Sequence, residues 1–377
     1  MKTGSLPVID IDLAPLPEQP DDVAWPTDDW PTGDPVDAKK RKLAKVVDFA
    51  FDDDPPAVLG LTQALVVVQR GRLVVERYGP GFHTEFDEAA GNPPEADGPE
   101  TTFISWSMAK SMLQIAIGIA TREHDLHLSS RAPVPEWDDH DDPRHGITWH
   151  HLLHMASGLS WMEEYTTDRG SDVISMLFGD GSADMASYAA SFPLASRPGT
   201  QFLYSSGTTN ILARALQRVL GLGGDADGMT KWLNDKVFAP LGMTSATPKF
   251  DDAGTWVASS YVYATARDFA RFGLLALRGG AWDGVSIVDP GWIDAARRPI
   301  KLPTGHANRY GSHWWVHDDG RGSFAAHGYE GQRILCVPEL DLVVVRLGKT
   351  PLTPTEHDRD PNPVDKYLDK IVACFSA

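Results

Sequence analysis

Apolar residues change their spacing along the chain, and each change predicts a different kind of element. Two runs rich in β-branched residues flank the turn Arg70-Gly71-Arg72 and predict a β-hairpin over 61–78. Near the other end, short apolar runs separated by turn residues predict three more strands, at 312–316, 333–337 and 341–347. Strands therefore lie at both ends of the chain, with a long block of a different pattern between them.

That middle block, from about 101 to 250, has mostly helical spacing. Its first helix runs from about 103 to 120 and is apolar nearly all round, which indicates a buried helix. The remaining helices are predicted at 37–51, 148–155, 211–219, 230–238, 268–277 and 364–375. The predicted fold is α+β, with one antiparallel sheet built from the two ends of the chain and backed by terminal helices. A mostly helical lobe, about 101–250, lies beside it, and a cleft between two such lobes is a usual place for a site.

Residues 1–36 differ from the rest because they are rich in proline and aspartate. This composition predicts an extended arm without its own core, pinned to the body by Trp25 and Trp30 and covering part of the site mouth. Residues 37–377 are then one domain.

Charge and composition narrow the function classes. A formal net charge of −18 over 377 residues makes nucleic acid and anionic membranes poor partners. The start of the chain does not resemble a secretory signal, and no apolar run is long enough to span a bilayer, so a cytoplasmic location is expected. Cys336 and Cys374 are expected to be free buried thiols.

The first candidate for chemistry is Ser107-Met-Ala-Lys110, at the start of the buried helix. A spacing of three residues puts both side chains on one helical face. A serine hydroxyl needs a base to become a nucleophile, and a buried lysine can serve if its pKa falls from about 10.4 to about 7–8. Ser107 N–H, at a helix N-terminus, could also stabilise an oxyanion. A Ser-x-x-Lys arises by chance in many chains, however, so the assignment needs partners elsewhere.

Three other segments supply such partners. They are Pro198–Asn210 with Tyr204-Ser205-Ser206, Ile147–Leu159 with the letters HLLHMASGL, and Ala325–Gln332 with His327-Gly328-Tyr329. Together with Ser107 and Lys110, they resemble penicillin-recognising serine hydrolases, the superfamily of class C β-lactamases, DD-peptidases and family VIII esterases. The segments QFLYSSGTTNILARALQRVLG, TARDFARFGLLALRGG and HGYEGQ resemble the nylon-oligomer (6-aminohexanoate dimer) hydrolases in order and spacing. The chain has no Gly-x-Ser-x-Gly elbow, which argues against an α/β-hydrolase.

The resemblance implies a metal-free serine hydrolase without a cofactor, which cleaves amide or ester bonds through an acyl-enzyme. It implies Ser107 as nucleophile, Lys110 as general base, Tyr204 as proton relay and the N–H groups of Ser107 and Tyr329 as oxyanion donors. The substrate-binding residues that it implies are Tyr165, Ser206, His327 and Gly328.

Two departures from the β-lactamase pattern bear on the substrate. His327 stands where many lactamases have the lysine of Lys-Thr-Gly, and Ser206 replaces the asparagine of Tyr-x-Asn. Both weaken recognition of a lactam carboxylate, so a small linear amide or ester is the expected partner. A family VIII-type carboxylesterase, a weak β-lactamase or D-aminopeptidase, and a non-catalytic acyl-binding relative stay open, as does a homodimer.

Other polar clusters are predicted to be structural. His150 and His154 are spaced like metal ligands but lack a third ligand, so core or capping histidines are expected. Glu163 and Glu164 are expected to be solvated carboxylates rather than a deacylating base. The acidic runs 52–54 and 138–142 lack the calcium-loop pattern and read as solvated loops.

Overall fold

The structure, a computed structural model, describes residues 8–9, 11–52, 58–81, 96–124, 126–165, 170–303, 309–351 and 362–376. The strands of this part of the chain are β1 (Leu61–Gln69), β2 (Arg72–Tyr78), β3 (Thr102–Ile104), β4 (Thr247–Pro248), β5 (Val262–Thr265), β6 (Ala281–Trp282), β7 (Val285–Ser286), β8 (Trp315–Val316), β9 (Phe324–Gly328), β10 (Gln332–Val337) and β11 (Leu342–Lys349). The α-helices are α1 (Lys40–Ala50), α2 (Ala109–Glu123), α3 (Trp149–Leu153), α4 (Asp172–Phe178), α5 (Met185–Ala190), α6 (Ser206–Val219), α7 (Ala226–Leu233), α8 (Ala239–Leu241), α9 (Ala266–Leu277), α10 (Trp292–Ala296) and α11 (Pro363–Val372).

The main sheet joins the two ends of the chain. Its six strands lie in the order β2-β1-β11-β10-β9-β8, and every neighbouring pair is antiparallel. The N-terminal hairpin pairs with the C-terminal strands through β1 and β11, whose register puts Val66 opposite Val345. The predicted α+β architecture, with one antiparallel sheet built from both ends, is confirmed.

Both faces of the sheet are buried, which explains why β1 and β11 read as continuous apolar runs. Side chains alternate between the faces of a strand. In β11, Val343 and Val345 belong to the core shared with α2, α6 and α9, whereas Leu342 and Val344 pack with the terminal helices α1 and α11. The sheet is thus a layer between the helical lobe and a helical pair contributed by the two ends.

A small second sheet connects the helical lobe to the Ser107 segment. Its strand order is β3-β5-β4, and β3 ends at Ile104, just before Ser107. Helix α2 follows with twelve buried residues, including the polar Lys110, Ser111 and Gln114. The predicted buried helix is therefore confirmed, although its first turn, Trp106–Met108, is 3-10 rather than α-helical.

Three element predictions were wrong in detail. The segment Ala325–Gln332 was expected only to precede a strand, but its first half lies in β9 (Phe324–Gly328), and a 3-10 turn at Tyr329–Gly331 joins β9 to β10. The strand predicted at 312–316 shortens to Trp315–Val316, because His313 has a left-handed φ of 58° that extended backbone does not allow. The helix predicted at 230–238 begins earlier, at Ala226, and passes into a π-helical turn, Asn234–Phe238.

The arm contacts the body along most of its described length. Trp30 is buried and its ring lies 5.6 Å from the Arg271 guanidinium, while the Trp25 ring lies 4.9 Å from that of Trp282. Arginine side chains also donate to arm carbonyls, with Arg271 Nε 2.6 Å from Pro26 O and Arg298 Nη1 3.1 Å from Ile11 O. On the body, these contacts are made by Arg271 of α9 and by Trp282 and Arg298, which follow that helix.

The two cysteines are free and buried, as expected. The Sγ atom of Cys336 lies 3.3 Å from Gly273 O and that of Cys374 lies 3.2 Å from Lys370 O, so each thiol has a backbone acceptor. Within the described ranges, no helix is both long and apolar enough to cross a bilayer.

Candidate active site

Ser107 lies in a tight turn that the small sheet anchors. Ser105 N–H donates to Val262 O at 2.9 Å, Val262 N–H donates back to Ser105 Oγ at 3.0 Å, and Ser105 Oγ donates to Ser260 O at 3.1 Å. The next residue, Trp106, has a left-handed φ of 45°, an uncommon conformation for a bulky side chain. The backbone bends at this residue, and the half-buried Ser107 lies just before the N-terminus of α2.

Lys110 is fully enclosed, and its amine has three oxygen neighbours. Nζ lies 3.0 Å from Ser107 Oγ, 3.0 Å from Ser206 Oγ and 2.9 Å from Ser259 O. Burial lowers the pKa of Lys110 to about 8, although the nearby Glu163 carboxylate acts in the opposite direction. A substantial fraction of this amine is therefore neutral at mildly alkaline pH and able to accept a proton.

Tyr204, from the segment before α6, completes a compact group with Ser107 and Lys110. Lys110 Nζ lies 5.0 Å from the centre of the Tyr204 ring, and the Ser107 side chain is near enough to the phenol to act on its pKa. Burial, reinforced by the Glu163 charge, raises the pKa of Tyr204 well above its ordinary value. The phenol thus keeps its proton at neutral pH, so the lysine is the better proton acceptor of the two.

Tyr329 begins the turn between β9 and β10, next to the Ser107 segment. Its ring lies 5.6 Å from that of Trp106. The preceding Gly328 packs so closely that a methyl group there would lie 2.5 Å from Ser105 O. The backbone around Tyr329 therefore faces the Ser107 turn across a gap that only a glycine permits.

The other three residues predicted to bind substrate line the same region. Ser206 contacts Lys110, and the Tyr165 ring lies 4.6 Å from that of Tyr329. His327 stacks on Trp315 with ring centres 5.3 Å apart, and its Nε2 is a buried atom without a partner in the described part of the chain. Burial, reinforced by the Arg333 charge, lowers the pKa of His327 far below its ordinary value, so the ring is neutral.

The expectation that Glu163 is a solvated carboxylate was wrong. Its Oε2 accepts from Trp161 Nε1 at 2.5 Å and from Ser206 N at 2.8 Å, while Oε1 accepts from Ser206 Oγ at 2.5 Å and from Tyr165 O–H at 3.0 Å. By contrast, Glu164 is exposed, as expected. Two adjacent glutamates look alike in the sequence, and only the fold turns one of them toward Ser206.

Sequence reasoning also missed an aromatic surface beside Ser107. Trp106 lies between Tyr261 and Tyr329, with ring centres 6.0 Å and 5.6 Å away, and Tyr165 extends the surface beyond Tyr329. The four rings come from four separate segments of the chain, so no local sequence pattern predicts that they lie together. Such a surface can hold the apolar chain of a substrate next to a reactive hydroxyl.

The two histidines that are spaced like metal ligands, His150 and His154, lie in α3 and at its C-terminal cap. The rings of His150 and His154 lie 4.3 Å apart, and His154 Nδ1 is 3.0 Å from His150 O. Burial lowers the pKa of His154 to about 3, so this ring stays neutral. His151 instead forms a capping box with Thr148. Across the ranges that the structure describes, no group of three or more His, Cys, Asp or Glu side chains could hold a metal ion.

A family model, a related protein sequence and two solved structures that are similar to this chain agree with one another. A family model described as beta-lactamase matches residues 58–368. The 6-aminohexanoate-dimer hydrolase of Paenarthrobacter ureafaciens is 26% identical over 316 residues, which cover 78% of this chain and 74% of that protein. A solved structure from Bacillus anthracis, provisionally named a 6-aminohexanoate-dimer hydrolase, has a TM-score of 0.68 at 19% identity and covers 98% of this chain and 90% of its own. A family VIII carboxylesterase has a TM-score of 0.64 at 15% identity, covering 89% of this chain and 97% of its own.

Proposed function

The chain belongs to the beta-lactamase family, and on that premise we propose that it hydrolyses small linear amides or esters through an acyl-enzyme on Ser107. The observation that carries the proposal is the 3.0 Å distance between Ser107 Oγ and the buried Lys110 amine, whose pKa is lowered to about 8. A neutral amine at hydrogen-bonding distance is what a serine hydroxyl requires to become a nucleophile.

The proposed reaction starts with proton transfer from Ser107 Oγ to Lys110 Nζ as Oγ attacks the substrate carbonyl carbon. The tetrahedral oxyanion accepts hydrogen bonds from the N–H groups of Ser107 and Tyr329. Tyr204, which keeps its proton, delivers a proton to the leaving amine or alcohol as the carbon–leaving-group bond breaks, and the proton held by Lys110 replaces it. Water then attacks the acyl carbon, with the same groups reversing their roles, and releases Ser107 and the acid.

A linear amide is the preferred substrate class, because a retained phenol donor is most useful for an amine leaving group. The relative from Paenarthrobacter ureafaciens is named for such a substrate, the 6-aminohexanoate dimer. The aromatic surface of Trp106, Tyr165, Tyr261 and Tyr329 suits an aliphatic acyl chain. A β-lactam is disfavoured, since the neutral His327 offers no cation to a lactam carboxylate.

An esterase of the family VIII type is the second candidate. It is favoured by the same aromatic surface and by the family VIII carboxylesterase among the similar folds. Turnover of p-nitrophenyl acyl esters, nitrocefin and linear aminohexanoate oligomers would rank the three substrate classes. Stoichiometric product release without turnover would instead indicate a non-catalytic acyl-binding protein.

A fluorophosphonate probe tests the nucleophile directly. We expect one covalent adduct, located on Ser107 by peptide mass spectrometry and lost in Ser107→Ala. Absence of the adduct from Ser107, or its presence on another serine, would contradict the proposal.

The pH dependence of kcat/KM on an uncharged ester should report the base. Lys110 works only when neutral, so the rate should rise with pH to a plateau, with a midpoint near 8, and fall about tenfold per pH unit well below it. The enclosed histidines cannot cause this rise of the rate with a midpoint near pH 8, because burial lowers the pKa of His313 to about 3 and that of His327 far below its ordinary value. A midpoint near 6, or a flat profile, would contradict Lys110 as the base.

Gly328→Ala should lower kcat by about 100-fold or more, because the new methyl group forces β9 away from the Ser107 turn and misplaces Tyr329 N–H. The methyl carbon would lie 2.5 Å from Ser105 O and 2.8 Å from Gln332 Cβ, closer than packing allows. Gly146→Ala is the matched control, since a methyl group there meets open space. Steady-state kinetics of both variants check this, and equal kcat values would rule out the proposed role of the turn.

A further inference from the structure

We infer that Glu163 is a positioning residue, which fixes the direction of the Ser206 hydroxyl and thereby aims the lone pair of Lys110 at Ser107. This inference rests on the proposed role of Lys110 as the base and adds a residue that does not touch the reacting atoms.

The Glu163 carboxylate fixes the Ser206 hydroxyl by accepting its proton in a hydrogen bond. A carboxylate only accepts, and Glu163 accepts from two groups of Ser206, the backbone N–H at 2.8 Å and the hydroxyl at 2.5 Å. Trp161 and Tyr165 donate to the same carboxylate and hold it in place. Because the Ser206 hydroxyl has one proton, that proton is committed to Glu163.

Ser206 can consequently present only lone pairs to Lys110. The second fixed neighbour of the amine, Ser259 O, is a carbonyl and also only accepts. Asn210 Oδ1 accepts from Ser259 N at 3.1 Å, which ties this segment to α6. Both oxygens therefore require N–H groups from Lys110.

A neutral amine has two N–H groups and one lone pair. With both N–H groups directed at Ser206 and Ser259, the lone pair is left for the third neighbour, Ser107 Oγ, at 3.0 Å. This is the orientation in which Lys110 can remove the Ser107 proton. If the Ser206 hydroxyl turned toward Lys110 instead, it would compete with Ser107 for that lone pair.

Electrostatics alone would not favour a carboxylate at this position. Glu163 raises the pKa of Lys110 and so opposes formation of the neutral base. Among the residues that the structure describes, the other titratable groups that interact with Glu163 or Lys110 are Tyr165, Tyr204, Tyr310 and His313. Burial keeps all four of them uncharged at neutral pH, so Glu163 is the anion that acts on Lys110 within this group. The benefit of Glu163 is that it orients the Ser206 hydroxyl. Loss of this orientation should lower the plateau of kcat, whereas loss of the charge should lower the midpoint of the pH profile, so the two effects can be measured separately.

Glu163→Gln tests the inference, because the amide can donate to Ser206 Oγ and reverse the hydroxyl. We expect the plateau of kcat to fall roughly 10- to 100-fold through misdirection of the lone pair. The midpoint of the pH profile should move below that of the wild type, because the anion that raises the pKa of Lys110 is gone. Glu164→Gln removes the same charge from the exposed neighbouring residue and should change neither quantity.

Two outcomes would overturn the inference: an unchanged kcat plateau, or a reduced plateau with an unshifted midpoint, which indicates only structural damage. If Glu163→Gln does not fold, Ser206→Ala serves as the second variant, because it removes the hydroxyl that links Glu163 to Lys110. We expect it to lower the kcat plateau by a similar factor. An unchanged plateau in Ser206→Ala would also overturn the inference. Fluorophosphonate labelling of wild-type Ser107 is read separately, so failure of the proposed function is distinguishable from failure of this inference.

Discussion

Lys110→Met is expected to lower kcat/KM by about 10³- to 10⁴-fold, while the protein remains folded. Methionine is similar in length to lysine and is itself apolar, so it can occupy the buried space at the start of α2. It cannot accept a proton, and Ser107 Oγ loses the amine that lies 3.0 Å away. Burial no longer has to suppress a charge at this position, so we expect the thermal stability to be retained.

Steady-state hydrolysis of a p-nitrophenyl ester at pH 8, with thermal unfolding of the same samples, checks this expectation. The loss should appear mainly in kcat, because Lys110 acts on the reacting proton rather than on the substrate chain. Lys249→Met is a suitable control, since Lys249 is exposed and its amine lies over the Tyr263 ring at 5.8 Å. A Lys110→Met variant with activity close to that of the control would show that another group removes the proton.

The sequence was informative about the site wherever the chemistry is carried by short local patterns. Ser107 and Lys110 are three residues apart, so their contact follows from helical geometry. Tyr204 could be proposed only by resemblance, because its distance from Ser107 along the chain says nothing about their distance in space. Glu163 shows where the sequence reasoning fails. Its contacts with Ser206 join residues 43 positions apart, and its neighbour Glu164 has the same chemistry but faces solvent.

A similar division holds for the fold. The strongly β-branched strands β1 and β11 were predicted because alternate residues serve two different cores, which leaves hardly any polar position in either strand. Strand β9 was missed because Ala325, Ala326 and Gly328 have low strand propensity and the strand is held by pairing with β10. The left-handed conformations of Trp106 and His313 could not be predicted either, since neither residue is a glycine, the residue type that usually signals such a conformation.

Arg346 connects this sheet to the backbone of the proposed oxyanion site. The side chain is fully buried on β11. Its Nη2 donates to Leu59 O at 2.8 Å and to Leu61 O at 3.1 Å, and its Nη1 donates to Glu330 O at 3.1 Å and to Gly331 O at 3.2 Å. Burial lowers the pKa of Arg346 to about 9, so the group remains charged at neutral pH and binds these carbonyls strongly. It thus holds the turn after Tyr329 against the start of β1.

Arg346→Met is accordingly expected to lower the free energy of unfolding by about 3–5 kcal/mol, because several buried carbonyl groups lose their donor at once. Urea denaturation monitored by tryptophan fluorescence measures the change. The matched control is Arg70→Met, which removes a partly exposed guanidinium paired with Asp37 at 3.1 Å and should change stability by less than about 0.5 kcal/mol. We also expect the fraction of Arg346→Met that stays folded to have a reduced kcat, since Tyr329 N–H is held by the same turn. If both variants had equal stability, the carbonyl groups around Arg346 would have to find other donors, and the guanidinium would not be what fixes this turn.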